Sequence, residues 1–306
     1  MSVKQIKQAD LTWTNISSVN DEALLFLKKN FKFHQLDIED IKSESQNPKL
    51  DTYKDYLFLV VHFPQWKDGN KRVLAHEIDI FVGPNYLITI QHGKNKDIKD
   101  FFYKSMNNRK TRNEWIHKSS GYLLYKILEE LFSQSRTMID NLGKQISNVE
   151  NEVFDDKPDK NIIHELAIYR RNVLNLKRIL DPQRFIISSL SNTRKTFLDE
   201  SLSPYFDDIK DFLDKLWVIV DTYKEILEGL HITVESIINQ KTNKIITLLT
   251  VISVSLLPLT LLSGIYGMNI EGLPYAHSPA FVWGLFLAIT SFILFLIFVM
   301  KKRKLL

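Results

Sequence analysis

From Ile245 to Met300 the mixture of polar and apolar positions found elsewhere in the chain stops, and Glu271 is the only charged side chain. A polar, turn-rich segment, residues 267–279, divides the stretch into two apolar runs, residues 245–266 and 280–300. As a helix rising about 1.5 Å per residue, each run spans about 30 Å, the thickness of a hydrocarbon core. Buried helices of water-soluble domains seldom run that far without a charge, so the pattern predicts two transmembrane helices. Lys241 and Lys244 precede the first, Lys301, Lys302, Arg303 and Lys304 follow the second, and the segment between them has neither Lys nor Arg. By the positive-inside rule both termini are expected in the cytoplasm. Residues 1–30 mix Lys, Asp and Glu and carry no signal-peptide pattern.

Ahead of the membrane the texture changes once. Residues 57–63, 77–82 and 86–91 are short β-rich runs, and Gly83-Pro84-Asn85 between the last two is a hairpin signal. Residues 21–31 and 97–106 have the period of amphipathic helices. The expectation is a small α/β domain over residues 1–115. Long helical stretches follow, over 118–155, 160–191 and from 204 onward, which places a helical region at 116–244 and the transmembrane hairpin with its basic tail at 245–306.

The third of those helices is the most regular part of the chain. Phe206, Ile209, Leu213, Leu216, Val220 and Tyr223 open a heptad seam that continues to Ile237. No proline stands between Pro204 and Pro258, so a single helix from Tyr205 to Tyr266 is expected, about 90 Å long at 1.5 Å per residue. A second stripe on the same helix is small and polar where it enters the membrane, with Asn243, Thr250, Ser253, Thr260 and Gly264, interrupted by Ile246 and Leu257. Residues of this kind let membrane helices pack closely, and they also suit the lining of a water-filled path.

Composition narrows the choice. The 306 residues contain no cysteine, which excludes a disulfide framework and any thiolate metal site. With 40 Lys plus Arg against 36 Asp plus Glu the net charge is +4, and the tail from Lys301 to Lys304 carries that excess, so no nucleic-acid footprint is present. Phosphate-loop, His-Glu-x-x-His and nucleophile-elbow motifs are absent, which argues against an enzyme. His76-Glu77 reads as a surface pair on a strand.

At the end of the first span the sequence is Tyr266-Gly267-Met268-Asn269, preceded by Pro258-Leu259-Thr260 and Ser263-Gly264-Ile265. In this string, and in Lys241-Thr242-Asn243 ahead of it, the chain resembles the CorA family of magnesium and cobalt transport proteins. Leu36-Asp37-Ile38-Glu39-Asp40, Asp55-Tyr56-Leu57-Phe58-Leu59 and Pro204-Tyr205-Phe206 extend the similarity over most of the chain. The resemblance implies an α+β cytoplasmic domain, long helices and two C-terminal transmembrane helices, assembled as a funnel-shaped homopentamer in the inner (plasma) membrane. The first membrane helices then surround a pore for Mg²⁺, with Co²⁺ as a second cargo. One departure is the outer loop, where Leu273-Pro274-Tyr275-Ala276 lacks the acidic residue common in the family; Glu271 is the candidate to attract cations in its place.

Site assignments follow from the stripe and the resemblance together. Gly267, Met268 and Asn269 are the expected selectivity filter, in which the Asn269 carboxamide meets a hydrated ion through its waters, because Mg²⁺ dehydrates reluctantly. Asn269 also suits a helix C-cap. Asn243, Thr250, Ser253, Thr260 and Gly264 are the expected pore lining, and Ile246, Leu249 and Leu257 the positions that close the path by dewetting. Asp208 matches the family position whose carboxylate shares an intersubunit Mg²⁺ site, with Asp207 and Asp211 close by and Asp100 the candidate partner from the N-terminal domain. Two rivals stand beside this reading: a zinc transporter of the ZntB type, and a membrane-anchored coiled-coil scaffold that transports nothing.

Overall fold

The computed structural model describes residues 2–43, 47–67, 69, 71–92, 96–116, 118–154, 161–268, 275 and 278–302. It divides into two compact units, residues 1–231 and 232–306.

The first unit is built on one six-stranded sheet. In chain order its elements are β1 (Val3–Gln8), β2 (Leu11–Ile16), α1 (Asp21–Asn30), α2 (Gln35–Asp40), β3 (Lys49–Thr52), β4 (Leu57–Lys67), β5 (Arg72–Gly83) and β6 (Tyr86–Gln91). There follow α3 (Lys96–Asn107), α4 (Arg109–Ile116), α5 (Ser120–Phe154) and α6 (Ile162–Asn192). The strand order is β1-β2-β6-β5-β4-β3. Among the described residues only β2 and β6 pair in parallel. The expected strands at 57–63 and 77–82 are longer than their apolar runs, because β4 and β5 pair from Leu57↔Val82 out to Lys67↔Arg72. Sequence reading found none of β1, β2 and β3. In β2 the buried Thr14 and Asn15 interrupt the apolar run; β1 and β3 are hidden for another reason. They are the two edges of the sheet, short and lysine-bearing, which guards an edge against pairing with other chains and removes the hydrophobic signal.

Both sheet faces are covered, so the central strands read as continuous apolar runs rather than as an alternation. On one face Phe58, Val60, Phe81, Ile88 and Ile90 meet Ala23 and Leu27 of α1 and Ile38 of α2. Asn20 starts α1 by accepting the Ala23 backbone N–H at 2.9 Å, with Asp21 and Glu22 in the first turn and Lys28 and Lys29 in the last, each complementing the helix dipole. On the other face the Trp13 ring meets Phe102 of α3 edge-on, with centroids 5.0 Å apart. Phe63 of β4 packs on Phe132 of α5. The polar groups of this core are joined across strands. Trp13 Nε1 donates to Thr89 Oγ1, whose hydroxyl donates to Asn15 Oδ1 at 2.9 Å, and Gln91 Nε2 donates to the same oxygen at 2.8 Å. From α6, buried Asn172 accepts the Val73 N–H at 3.0 Å and donates to the Lys71 carbonyl at 2.9 Å.

Helix α7 (Ser203–Tyr266) is continuous over 64 residues and contains Pro258. Its heptad seam is buried within the chain: Phe206, Ile209, Leu213, Leu216 and Val220 are at most 4% exposed. Tyr125 of α5 meets Phe206, and the ion pairs Lys177–Asp221 and Arg184–Asp214 join α6 to α7. The Lys177 ammonium holds the Asp221 carboxyl below the usual range. Partners from the same chain therefore account for the heptads, and the scaffold reading loses its ground.

In the second unit the membrane part of α7 is followed by α8 (Pro279–Lys302). Both helices are long and apolar enough to cross a bilayer, and their most apolar stretches are not buried within the protein.

Candidate ion-conducting and regulatory sites

Along the membrane part of α7, Asn243, Ile246, Leu249, Thr250, Ser253, Leu257, Thr260 and Gly264 are all exposed. Half-buried positions form a different line, through Thr247, Val251, Ser255, Leu259 and Leu262. The small and polar stripe is therefore not what this unit uses for its own packing. Gly264 makes the same point, since a methyl group there would meet no atom within 4 Å. A groove of about 590 Å³ collects Ser253, Leu257, Thr260, Gly264 and Met268 with Leu256, Leu261 and Ile265.

The threonine hydroxyls have a defined polarity. Thr250 Oγ1 donates to the Ile246 carbonyl at 2.8 Å and Thr260 Oγ1 to the Leu256 carbonyl at 2.9 Å. Such back-bonding uses up the hydroxyl proton and leaves oxygen lone pairs facing outward, which is what a cation or its hydration waters require. Gly267 closes the helix: its N–H donates to the Ser263 carbonyl at 2.9 Å, and a Cβ there would stand 2.8 Å from that oxygen. The turn therefore needs glycine. Met268, exposed, follows in the same turn, its N–H donating to the Ile265 carbonyl at 3.3 Å. Asn269 and Glu271 lie outside the described residues.

The carboxylates near the start of α7 are on its outer side. Asp207, Asp208 and Asp211 are exposed, and Ser191 Oγ of α6 donates to Asp207 Oδ1 at 2.6 Å. Asp208 shares a small cavity of about 210 Å³ with Glu129, Phe132, Ser133, Ile209, Phe212 and Lys215. Burial, reinforced by the Glu129 hydrogen bond and by the Glu129 and Asp208 charges, pushes the nearby Tyr125 phenol up. Glu129 is a neighbour of Asp208 that sequence reading did not single out, because only the packing of α5 on α7 brings the two together. Asp100 is exposed on α3, and among the described residues no hydrogen bond or ion pair joins it to Asp208.

One expectation is overturned. His76 and Glu77 are 9% and 8% exposed, a buried pair rather than a surface pair: both are paired with β4, and Glu77 is flanked by His62 and His92.

A family model described as CorA-like Mg²⁺ transporter protein matches residues 8–302. The chain belongs to that family. It is 27% identical over 298 residues to a cobalt/magnesium transport protein CorA of Thermotoga maritima, a match that covers 96% of this chain and 82% of the relative. The complete structure of a CorA magnesium transporter from Methanocaldococcus jannaschii superposes with a TM-score of 0.81 at 21% identity, over 95% of this chain and 91% of that one. Similarity to a zinc transport protein ZntB of Pectobacterium carotovorum is 25% over 161 residues, 52% of this chain and 48% of the relative. CorA-like proteins transport divalent cations across membranes, and the match over nearly the whole chain outweighs the match over half of it. The two apolar helices are those of a membrane protein.

Proposed function

We propose that the chain is one subunit of a homopentameric channel that admits Mg²⁺, and Co²⁺ as a second cargo, to the cytoplasm through a pore lined by α7. The observation that carries this reading is the exposed stripe from Asn243 to Gly264, with the Thr250 and Thr260 hydroxyls bonded back to their own helix so that acceptor lone pairs are left facing outward. A hairpin of two helices cannot enclose a hydrated path, so the stripe acquires a function only when several copies bring it to a common axis. The apolar faces then meet lipid, and both termini stay in the cytoplasm of a cell whose inner membrane the protein crosses.

Neither span contains a carboxylate, so the pore selects by dipoles and not by fixed charge. Mg²⁺ passes with water in its coordination sphere, held at the outer mouth by a ring of Asn269 carboxamides above the Gly267 turn. Met268 packs there; a thioether is a poor ligand for a hard cation. Ile246, Leu249 and Leu257 close the path when the rings narrow. Entry is driven by the membrane potential, worth about 4.6 kcal/mol per 100 mV for a divalent ion, twice the value for one charge. Asp208, with Asp207 and Asp211 beside it, binds internal Mg²⁺ against a carboxylate of the neighbouring subunit, with Asp100 as the candidate. Bound ion cancels carboxylate repulsion and holds the channel shut.

Mg²⁺ and Co²⁺ uptake into liposomes containing the wild type or Asn269→Ala tests the assignment. Flux in the wild type and its fall to under about a tenth in the variant are expected, the loss of one preorganised polar ring being worth a factor of ten or more. Unchanged flux in the variant removes Asn269 from the filter, and no flux of any divalent ion in the wild type defeats the channel.

A further inference from the structure

The sheet of the first unit brings together four ionisable side chains that neither the pore nor the Asp208 site uses. Glu77 on β5 pairs directly with His62 on β4. Ile78 pairs with Gln91 on β6, so the next residue along, His92, stands beside Glu77 on its other side. Asp79, two residues on, faces the same way as Glu77. His92 Nε2 lies 2.7 Å from Asp79 Oδ2 and 3.6 Å from Glu77 Oε1, and His62 Nε2 lies 3.3 Å from Glu77 Oε2. One ligand atom from each of Glu77, Asp79 and His92 falls within 4.8 Å of the others.

From this arrangement we infer that Glu77, Asp79 and His92 form an intrasubunit site for one divalent transition-metal ion of the Co²⁺ or Zn²⁺ kind. The chemistry of the donors points that way. Two carboxylates and a neutral imidazole cancel the charge of a dication, and an imidazole nitrogen favours cobalt or zinc over magnesium. Donors of a tetrahedral ion bound at about 2.1 Å stand about 3.4 Å apart, so the Glu77–His92 separation already fits and the His92–Asp79 contact has only to open. An independent sign is Asp79 itself. The residue is 1% exposed, and its Oδ1 is buried with no hydrogen-bond partner, although Oδ2 of the same group touches His92. Buried carboxylate oxygens are rarely left so. Among the described residues, His92 is the one ion-pair partner of Asp79; Lys49, on the same sheet face, is taken by Asp40 and Asp51 at 2.7 and 2.6 Å. His62 holds the second Glu77 oxygen and serves as a positioning residue for that ligand.

The competing explanation is a purely structural ion pair, with a protonated His92 between two carboxylates. Full-length protein in detergent micelles, stripped with chelator and then placed in a large excess of Mg²⁺ to fill oxygen-only sites, is titrated with Co²⁺ and followed by visible d–d absorption. One Mg²⁺-resistant Co²⁺ per chain is expected, with an intense band of low coordination number. Asp79→Asn and His92→Gln abolish it, and His62→Gln weakens affinity by about tenfold to a hundredfold. If no Co²⁺ resists Mg²⁺, or if the resistant Co²⁺ persists unchanged in Asp79→Asn, the site does not exist and the ion-pair explanation stands. Should the variants fail to fold, X-ray absorption at the cobalt edge of the wild type decides: an imidazole in the metal's shell supports the site, and an all-oxygen shell overturns it.

Discussion

The two units handle polar groups in opposite ways. In residues 1–231 buried polar side chains reach across elements: Asn15 gathers Thr89 and Gln91 from a neighbouring strand, Asn172 bridges a helix to β5, and Asp37 accepts the Tyr53 and Tyr56 hydroxyls at 2.8 and 2.6 Å. Burial and the Asp37 hydrogen bond push the Tyr53 phenol up to about 12. In residues 232–306 the hydroxyls of Thr247, Thr250, Thr260 and Thr290 all return to the carbonyl four residues earlier in their own helix. Apolar groups reverse in the same sense. Phe58, Phe81, Phe102 and Phe132 are fully buried, whereas Phe292, Phe295 and Phe298 are more than 60% exposed. The first unit is stabilised by its own contacts, whereas the second leaves its apolar side chains exposed; in the proposed channel, lipid and further copies complete it, and hydroxyls that need no partner in another element serve the passing ion.

The sharpest way to break this contrast is one substitution made in both units. Phe102→Ala removes a ring at 0% exposure that packs edge-on against Trp13, and unfolding stability is expected to fall by about 3–5 kcal/mol. Phe295→Ala, at 61% exposure, is expected to cost less than about 1 kcal/mol, because lipid contacts replace the lost ones in both folded and unfolded-in-membrane states. Thermal unfolding of the full chain in micelles, read by tryptophan fluorescence, gives both numbers. Equal losses would mean that α8 is packed against protein over the face assigned here to lipid.

A polar pair sharpens the comparison at the next scale. Asn172→Ala strands the Val73 N–H and the Lys71 carbonyl under α6, a cost of about 2–3 kcal/mol. Thr250→Val removes a hydroxyl that, among the described residues, bonds only to its own helix, so stability changes by less than about 0.5 kcal/mol while ion flux in liposomes drops. A Thr250→Val channel with normal flux would return the stripe to close helix packing, and a destabilised one would show that the hydroxyl has a partner outside its helix.

What the sequence disclosed follows the same division. The membrane helices, the α7 seam and the stripe were legible because each is a pattern along one continuous element, where spacing alone fixes the face. The edge strands β1 and β3 were not, since their lysines and short length hide them, and neither was β2, whose buried Thr14 and Asn15 break its apolar run. The Glu77, Asp79 and His92 cluster was invisible for a different reason: its members meet through the register of β5 with β6, and a pairing register is a tertiary fact that no local spacing encodes. The same holds for Glu129 beside Asp208, on helices α5 and α7. His76-Glu77 was misread because an alternating polar step in a strand suggests a solvated face, and a central strand covered on both sides has none.

Asp208 gives the smallest change in stability and the clearest separation of folding from function. Its carboxylate is exposed, borders a cavity with Glu129 and makes no ion pair among the described residues, in contrast to the buried, twice hydrogen-bonded Asp37. Asp208→Ala should therefore leave the unfolding midpoint of the chain where it was, as surface substitutions away from caps and networks do. If a neighbouring subunit completes a Mg²⁺ site around this carboxylate, the variant loses the ion that holds the channel shut, and its uptake continues at internal Mg²⁺ concentrations that silence the wild type. Uptake as a function of internal Mg²⁺ in loaded liposomes measures this. Inhibition at the wild-type concentration would make Asp208 an ordinary solvated residue, and the search for the sensor would move to Asp207 and Asp211 on the same outer side of α7.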